Sequence, residues 1–172
     1  MESNMKYCDA EIIPREGITL NGKKIPLGAH KEEIISLLGA PEFENGPLYY
    51  CGNELRFDLD ADGCVEFIEF LGGIDGSLKP RIYGISVFDT MFDGVYGTLW
   101  ENNGREYMDI ENGHCHIFRS IGIRIYREFT HRDFEENLRA MKAEGIPFEN
   151  YVDYEADKRK AFHWDTIGIE RV

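Results

Sequence analysis

The sequence predicts an α+β fold with two tandem helix-plus-antiparallel-sheet repeats and an added C-terminal helix and strand. Two observations carry this prediction. A helical apolar stripe is followed by segments of alternating apolar residues, and the same order recurs in the second half of the chain. With 172 residues, 42% of them hydrophobic, the chain is long enough to bury a core. We therefore expect a single compact domain, 1–172, built of repeats at about 17–78 and 79–172.

The first repeat begins with a hairpin signal, Asn21-Gly22 between apolar residues. A helical stripe follows, in which Ile34 and Leu38 fall on one face and two glutamates occupy the first turn, where the helix dipole favours anions. Gly39 is typical of a helix end. Three strands are expected after it, at 48–51, 54–59 and 64–71.

The second repeat has the same order of elements. Residues 82–88 are expected to form a strand, and Asp89 or Thr90 is expected to cap a helix that buries Val95 and Leu99. Strands are then expected at 105–110, 114–119 and 121–127.

The C-terminal region adds a helix with clear ends. Thr130 and Asp133 have the spacing of a capping box, with Asp in place of the usual Glu. A short charged helical turn is expected at 153–160, and 161–172 is expected to form the final strand, which is short and charged and would suit a sheet edge. The buried stripe predicted for the capped helix consists of Phe134, Leu138 and Met141.

Residues 58–69 match two patterns at once. They carry a full set of calcium-loop residues at EF-hand spacing: Asp58, Asp60, Asp62, Gly63 and Glu69. They also suit a β-hairpin, because apolar residues alternate on both sides and the stretch 60–63 has good turn chemistry. Residues 108–118 show the same hairpin pattern without the carboxylates, which favours the hairpin. A calcium-binding protein that uses the 58–69 loop remains the alternative function.

Charge and composition restrict the partners. The net charge is −13 and the sequence pI is about 4.8, which argues against nucleic acid and anionic membranes and suits a basic protein. The longest apolar runs are too short to cross a bilayer. Residues 1–8 lack the apolar stretch of a signal peptide, and the cysteines lack C-x-x-C spacing, so we expect a cytoplasmic protein with free thiols.

Three short phrases carry a family resemblance. The segment 25–41 resembles the helix-and-stop segment of small α/β repeats in the SmpA/OmlA and β-lactamase-inhibitor-protein superfamily. The segments 121–128 and 166–169 resemble small bacterial proteins, some of which look like immunity proteins of polymorphic toxin systems. This resemblance implies a non-catalytic protein that binds and neutralises a partner, with a cognate toxin as the candidate and with no cofactor. It supplies no catalytic residues.

Four acidic residues on the predicted sheets are the expected partner-binding groups: Glu66, Glu69, Asp109 and Glu111. Trp100 and the pair Tyr49-Tyr50 are weaker candidates for anchors, since aromatic residues dominate binding hot spots. His114 and His116 share one strand face, as a metal pair would require. We expect instead a solvated face with Cys115 pointing inward, and therefore no metal and no catalytic residue.

Overall fold

The computed structural model describes residues 9–44, 46–104 and 106–171, and it shows an α+β fold. Within these residues thirteen strands form two sheets, accompanied by four α-helices and two short 3₁₀ turns. No helix in these ranges is long and apolar enough to cross a membrane. Residues 1–8, on which the signal-peptide prediction depends, lie outside the described part, as do Asn45, Arg105 and Val172. The helices are α1 (Lys31–Leu38), α2 (Phe92–Asn103), α3 (His131–Ala143) and α4 (Tyr154–Ala161).

The strands follow the chain in the order β1 (Ala10–Ile13), β2 (Gly17–Leu20), β3 (Lys23–Pro26), β4 (Phe43–Glu44), β5 (Leu48–Tyr50), β6 (Leu55–Leu59), β7 (Val65–Phe70), β8 (Arg81–Ile82), β9 (Ile85–Ser86), β10 (Tyr107–Ile110), β11 (Cys115–Phe118), β12 (Ile123–Tyr126) and β13 (Thr166–Glu170). One sheet has the order β3-β2-β1-β8-β9, and the other has the order β10-β11-β12-β13-β7-β6-β5-β4. The larger sheet is antiparallel throughout.

The hairpins predicted at 58–69 and 108–118 are confirmed. β6 pairs with β7 in antiparallel register, so strands and not helices flank the 60–63 turn. The Asp60 carboxylate closes this turn by accepting hydrogen bonds from the backbone N–H groups of Asp62 and Cys64. The second hairpin joins β10 to β11, and there the Asp109 carboxylate accepts from the backbone N–H of Gly113. In each turn an aspartate carboxylate stabilises the reversal of the chain.

One face of the large sheet builds the core, and we call it the inner face. Alternation along each strand places every second side chain on this face. Helices α1 and α2 contribute the buried side chains of Ile34, Leu38, Val95 and Leu99 to the same apolar cluster. Fully buried inner-face residues of the sheet include Phe57, Ile68, Phe70, Phe118, Ile123, Ile125, Ile167 and Ile169.

Three local predictions were wrong. The expected strand 82–88 is a pair of two-residue strands, because Tyr83 and Gly84 both adopt positive φ and turn the chain between β8 and β9. Neither Asp89 nor Thr90 caps α2, whose N-cap is Met91 without a side-chain hydrogen bond. Ala161 ends α4 and does not begin a strand.

The closing strand β13 lies in the middle of the large sheet, so the prediction that it forms a sheet edge was wrong. It lies between β12 and β7 and pairs with both in antiparallel register. Its alternate residues Ile167 and Ile169 are fully buried, so two-sided pairing and burial outweigh the charges at its ends.

The capping box of α3 is confirmed. Thr130 accepts a hydrogen bond from the Asp133 backbone N–H, and the Asp133 carboxylate accepts from the Thr130 backbone N–H. Of the predicted stripe, Phe134 is buried while Leu138 and Met141 are half-buried.

Candidate functional site

A cavity of about 280 Å³ opens where the inner face of β10–β12 meets the start of α2. Strand register explains which side chains reach it. Asp109 pairs with His116, and His116 pairs with Ile125, so all three lie on the inner face. Arg127 follows two residues after Ile125 and also lines the cavity. The residues that surround the cavity include Phe92, Tyr96, Tyr107, Asp109, His116, Arg127, His131 and Trp164.

His116 and Tyr107 form the tightest polar contact at the cavity. The Tyr107 hydroxyl lies 2.6 Å from His116 Nδ1, and the two rings are stacked. Burial lowers the pKa of His116, and the nearby Asp109 carboxylate only partly opposes this shift. Burial also raises the pKa of Tyr107, so the phenol keeps its proton. The neutral imidazole therefore accepts a hydrogen bond from the phenol at neutral pH.

Arg127 is a buried cation, only 3% exposed. Its guanidinium lies between two aromatic rings, 4.2 Å from the centre of Phe92 and 4.7 Å from that of Trp164. Its Nη1 donates to the backbone carbonyl of Ala161, and its Nη2 lies 3.2 Å from His131 Nδ1. Burial lowers the pKa of Arg127 to about 10, so the group stays charged at neutral pH.

Arg127 has no ion-pair partner within 4.0 Å among the described residues, and its Nε makes no hydrogen bond there. The carboxylates of Asp133 and Asp165 act on it only through longer-range attraction. These two carboxylates accept hydrogen bonds from the backbone N–H groups of Thr130 and Glu128, respectively. A buried charge without a direct counter-ion is costly, and such a group is uncommon in a folded core.

His116 gives the cavity a predictable pH response. The pKa of His116 is lowered in the folded protein, so the unfolded chain binds a proton first as the pH falls. Stability from this residue is therefore present above about pH 6.5 and lost below it, by up to about 1.4 kcal/mol per pH unit. The pKa of His131 is shifted in the same direction. Denaturant unfolding at pH 7.5, 6.5 and 5.5 should show this loss.

The matched control for this pH response is the double variant His116→Phe/Tyr107→Phe, which keeps both rings and removes the titrating imidazole. Its free energy of unfolding should fall less steeply between pH 6.5 and 5.5 than that of the wild type. An identical slope in the two proteins would refute the role assigned to His116.

The opposite face of the large sheet, the outer face, forms a second candidate surface. Phe67 lies near its centre, and its ring covers Gly168, where an added Cβ would approach Phe67 Cζ to 2.2 Å. Arg56 and Arg124 lie 5.9 and 5.6 Å from the centre of this ring. Arg56 also contacts the carboxylates of Asp58 and Glu69.

Exposed apolar side chains lie at both ends of the outer face. Phe43 is 53% exposed beside Tyr49 at one end, and Met108 and Ile110 are each 37% exposed at the other. Strand register places them on the same side of the sheet as Phe67. With eight strands about 4.8 Å apart, the face is about 34 Å wide.

The four acidic residues expected to bind a partner do not form one patch. Glu69 lies on the outer face, where its side chain is only 15% exposed and pairs with Arg56. Glu66 is exposed on β7 at the bulge in its pairing with β6. Asp109 lies on the inner face at the cavity, with three strands between β10 and β7, and Glu111 is exposed in the turn after β10.

The histidine pair is also arranged differently from the expectation. His116 points to the inner face and is buried, whereas Cys115 lies on the outer face. His114 Nδ1 lies 3.0 Å from the Arg127 backbone carbonyl oxygen. Of the aromatic candidates, Trp100 is 51% exposed, Tyr49 lies on the outer face, and Tyr50 belongs to the core.

The calcium-loop residues have other partners. Arg56 binds Asp58 and Glu69, and Asp60 closes its turn. Across ranges 9–44, 46–104 and 106–171, no three His, Cys, Asp or Glu side chains gather where they could hold a metal ion.

The sequence analysis missed Arg127, Trp164 and Tyr107 as site residues. One signal was available, because Ile121, Ile123, Ile125 and Arg127 have the spacing of one strand face. A cation that continues an inward apolar series is a candidate for a buried functional group.

The chain was compared with protein-family models, with curated proteins and with solved structures. None of the three comparisons finds a match. The candidate sites therefore stand on the geometry of this protein alone.

Proposed function

We propose that this is a non-catalytic, cytoplasmic bacterial protein that binds a basic partner protein on the outer face of its large sheet, with a cognate toxin domain as the partner. The single observation that carries the proposal is the Phe67 cluster. An aromatic ring held over Gly168 between two arginines is a rigid anchor of the kind that dominates binding energy.

The surroundings of Phe67 suit a protein partner better than a small molecule. Exposed apolar residues lie at both ends of a face about 34 Å wide, so the surface extends well beyond the open cavity of about 350 Å³ that Phe67 lines. The ion pairs around Phe67 form a polar ring, and such a ring excludes water from the centre of an interface.

The charge of the chain favours a basic partner. The net charge of −13 would speed encounter with a positive surface, and salt would weaken this effect. On the outer face the three arginines Arg56, Arg124 and Arg171 are engaged by carboxylates of the same protein, while Glu66 is exposed. Of the four acids proposed from the sequence, Glu66 thus fits this surface best.

A non-catalytic role is consistent with the chemistry of the cavity. The Thr130 hydroxyl donates to Asp133 as part of the helix cap, so it is engaged in structure. Cys115 lies on the other face of the sheet, and burial raises the pKa of its thiol, which disfavours the reactive thiolate.

The proposal includes the two-repeat layout. Each half contributes a helix followed by a three-stranded antiparallel meander, α1 before β5–β7 and α2 before β10–β12. The two meanders lie on either side of β13 in one sheet, so the outer face is a shared surface of both halves. A partner that covers Phe67 would contact residues from both repeats.

Phe67→Ala is expected to weaken binding of the partner about ten-fold or more, because it removes the anchor ring. The partner to test is the basic protein encoded next to this chain in its genome, co-expressed and co-purified. Affinity is measured by calorimetry, and association rates are measured at low and high salt. Association should slow as salt increases.

The matched control is Arg139→Glu, a charge reversal at an exposed position on α3, which should bind like the wild type. If the partner is toxic, the wild type and the control should restore growth, whereas Phe67→Ala should not. Absence of binding, or equal binding by Phe67→Ala and the wild type, would refute the proposal.

A further inference from the structure

The cavity beside α2 contains a cation that no direct ion pair neutralises. Arg127 is 3% exposed and lines the cavity, yet among the described residues no carboxylate forms an ion pair with it. Within the described part of the chain its Nε has no hydrogen-bond acceptor. An arginine buried in this way lowers the stability of the protein unless something else neutralises it.

Two aromatic rings restrict the movement of Arg127. Its guanidinium carbon lies over the rings of Phe92 and Trp164, and both contacts favour one orientation of the group. The N–H donors of a guanidinium lie in its plane, and a fixed plane is suited to bind both oxygens of a carboxylate. Among the described residues, Nη1 and Nη2 make one contact each, so each keeps a second N–H for a ligand, whereas Nε is buried without an acceptor.

The remaining walls favour a flat apolar body. The rings of Tyr96 and Tyr107 meet edge to face, and Tyr96 also meets His116 edge to face. The volume of about 280 Å³ lies just below the range of about 300–1,000 Å³ that is typical of small-molecule sites. This is the scale of one small aromatic molecule, and aromatic walls with a few polar groups are typical of ligand pockets.

The acidic residues of the cavity lie away from this buried arginine, toward the solvent. The Asp109 side chain is 46% exposed and Asp93 is exposed, and both accept backbone hydrogen bonds. Solvent screens their repulsion of an anion more strongly than it screens the attraction of the buried Arg127. An anionic group is therefore favoured deep in the cavity, beside Arg127.

We propose that this cavity binds a small molecule that combines a carboxylate with a flat apolar body, and that Arg127 binds the carboxylate. The site is independent of the partner surface, because it lies on the inner face of the sheet and Phe67 lies on the outer face. Failure of either proposal leaves the other intact.

The probe that tests this site is phenylacetate, compared with phenylacetamide, which has nearly the same shape and no charge. Titration of the ¹⁵N-labelled full chain is followed by NMR, with ionic strength held constant by sodium chloride. Phenylacetate should shift the indole N–H of Trp164 and the backbone N–H of Gly113 in a saturable manner. Its affinity should exceed that of phenylacetamide about ten-fold or more, since hydrogen bonds to a charged group are stronger.

Arg127→Met tests the assigned residue. Methionine replaces the buried charge with an apolar side chain of similar length, and such exchanges are often neutral or stabilising. The variant should fold, as shown by its thermal unfolding, and should lose the preference for phenylacetate. Equal affinity of the two probes for the wild type, or no saturable shift with phenylacetate, would overturn the proposal. The wild-type comparison alone is decisive if the variant does not fold.

A purely structural role for Arg127 predicts a different result. If Arg127 only ties α4 to the sheet through the Ala161 carbonyl, Arg127→Met would bind both probes as the wild type does. That outcome would also overturn the assignment.

Discussion

Replacing Trp164 with alanine is expected to lower the free energy of unfolding by about 3–5 kcal/mol, the range measured for large aromatic residues in cores. Trp164 is 1% exposed, and its indole N–H donates to the carbonyl of Phe92, 72 positions away in the chain. The indole also packs on Arg127 and meets His116 edge to face. Truncation would remove this packing and leave the Phe92 carbonyl without its donor.

Trp100→Ala is the matched control, because the same residue type is changed at an exposed position. Trp100 is 51% exposed and stacks on Tyr96, so its loss should cost about 1 kcal/mol or less. Denaturant unfolding followed by circular dichroism measures both variants. Equal losses for the two tryptophans would show that Trp164 is not the link between α2 and the large sheet.

The elements predicted best from the sequence are those fixed by neighbouring residues. The Thr130–Asp133 capping box and the Asn21-Gly22 hairpin depend on hydrogen bonds and backbone angles within a few positions, so the pattern contains all the information. The 60–63 turn is similar, since Asp60 accepts from N–H groups two and four residues ahead.

The position of β13 could not be obtained in the same way. Its pairing with β7 joins Ile167 to Phe70, and such a long-range contact leaves no trace in local alternation. The charged ends of the strand suggested an edge, whereas the burial of Ile167 and Ile169 decides its central place. Local composition shows the charges but not the burial, because the neighbouring strand β7 is distant in the chain.

The candidate sites show the same contrast between features fixed by neighbouring residues and features fixed by long-range pairing. The acidic residues were chosen for charge, but register separates Glu69 from Asp109 by three strands and places them on opposite faces. The cavity is assembled from α2, the strands β10 and β11, the start of α3 and the segments after β12 and before β13, so most of it was beyond prediction. Arg127 was the exception, because it continues the inward series of Ile123 and Ile125.

Gly17→Ala is expected to destabilise the protein by about 3 kcal/mol or more, through close contact and unfavourable backbone angles together. Gly17 starts β2 with φ of +139°, a region that residues with a Cβ rarely adopt. An added Cβ would lie 2.2 Å from the Ile25 carbonyl oxygen and 2.9 Å from Pro26 Cα. Both neighbours are backbone atoms of the paired strand β3, so a side-chain rotation cannot relieve the clash.

The second glycine of the same hairpin separates the two causes. Gly22 has φ of +76°, and apart from its two chain neighbours no atom of the described residues lies within 4 Å of the position of its added Cβ. Gly22→Ala therefore carries only the cost of the left-handed conformation, about 1 kcal/mol. The difference between the two free energies of unfolding, measured under identical denaturant conditions, reports the clash with β3. If Gly17→Ala were no less stable than Gly22→Ala, β2 and β3 could move apart without loss of stability. The full burial of Ile18 and Ile25, which pair across these two strands, argues against such a movement.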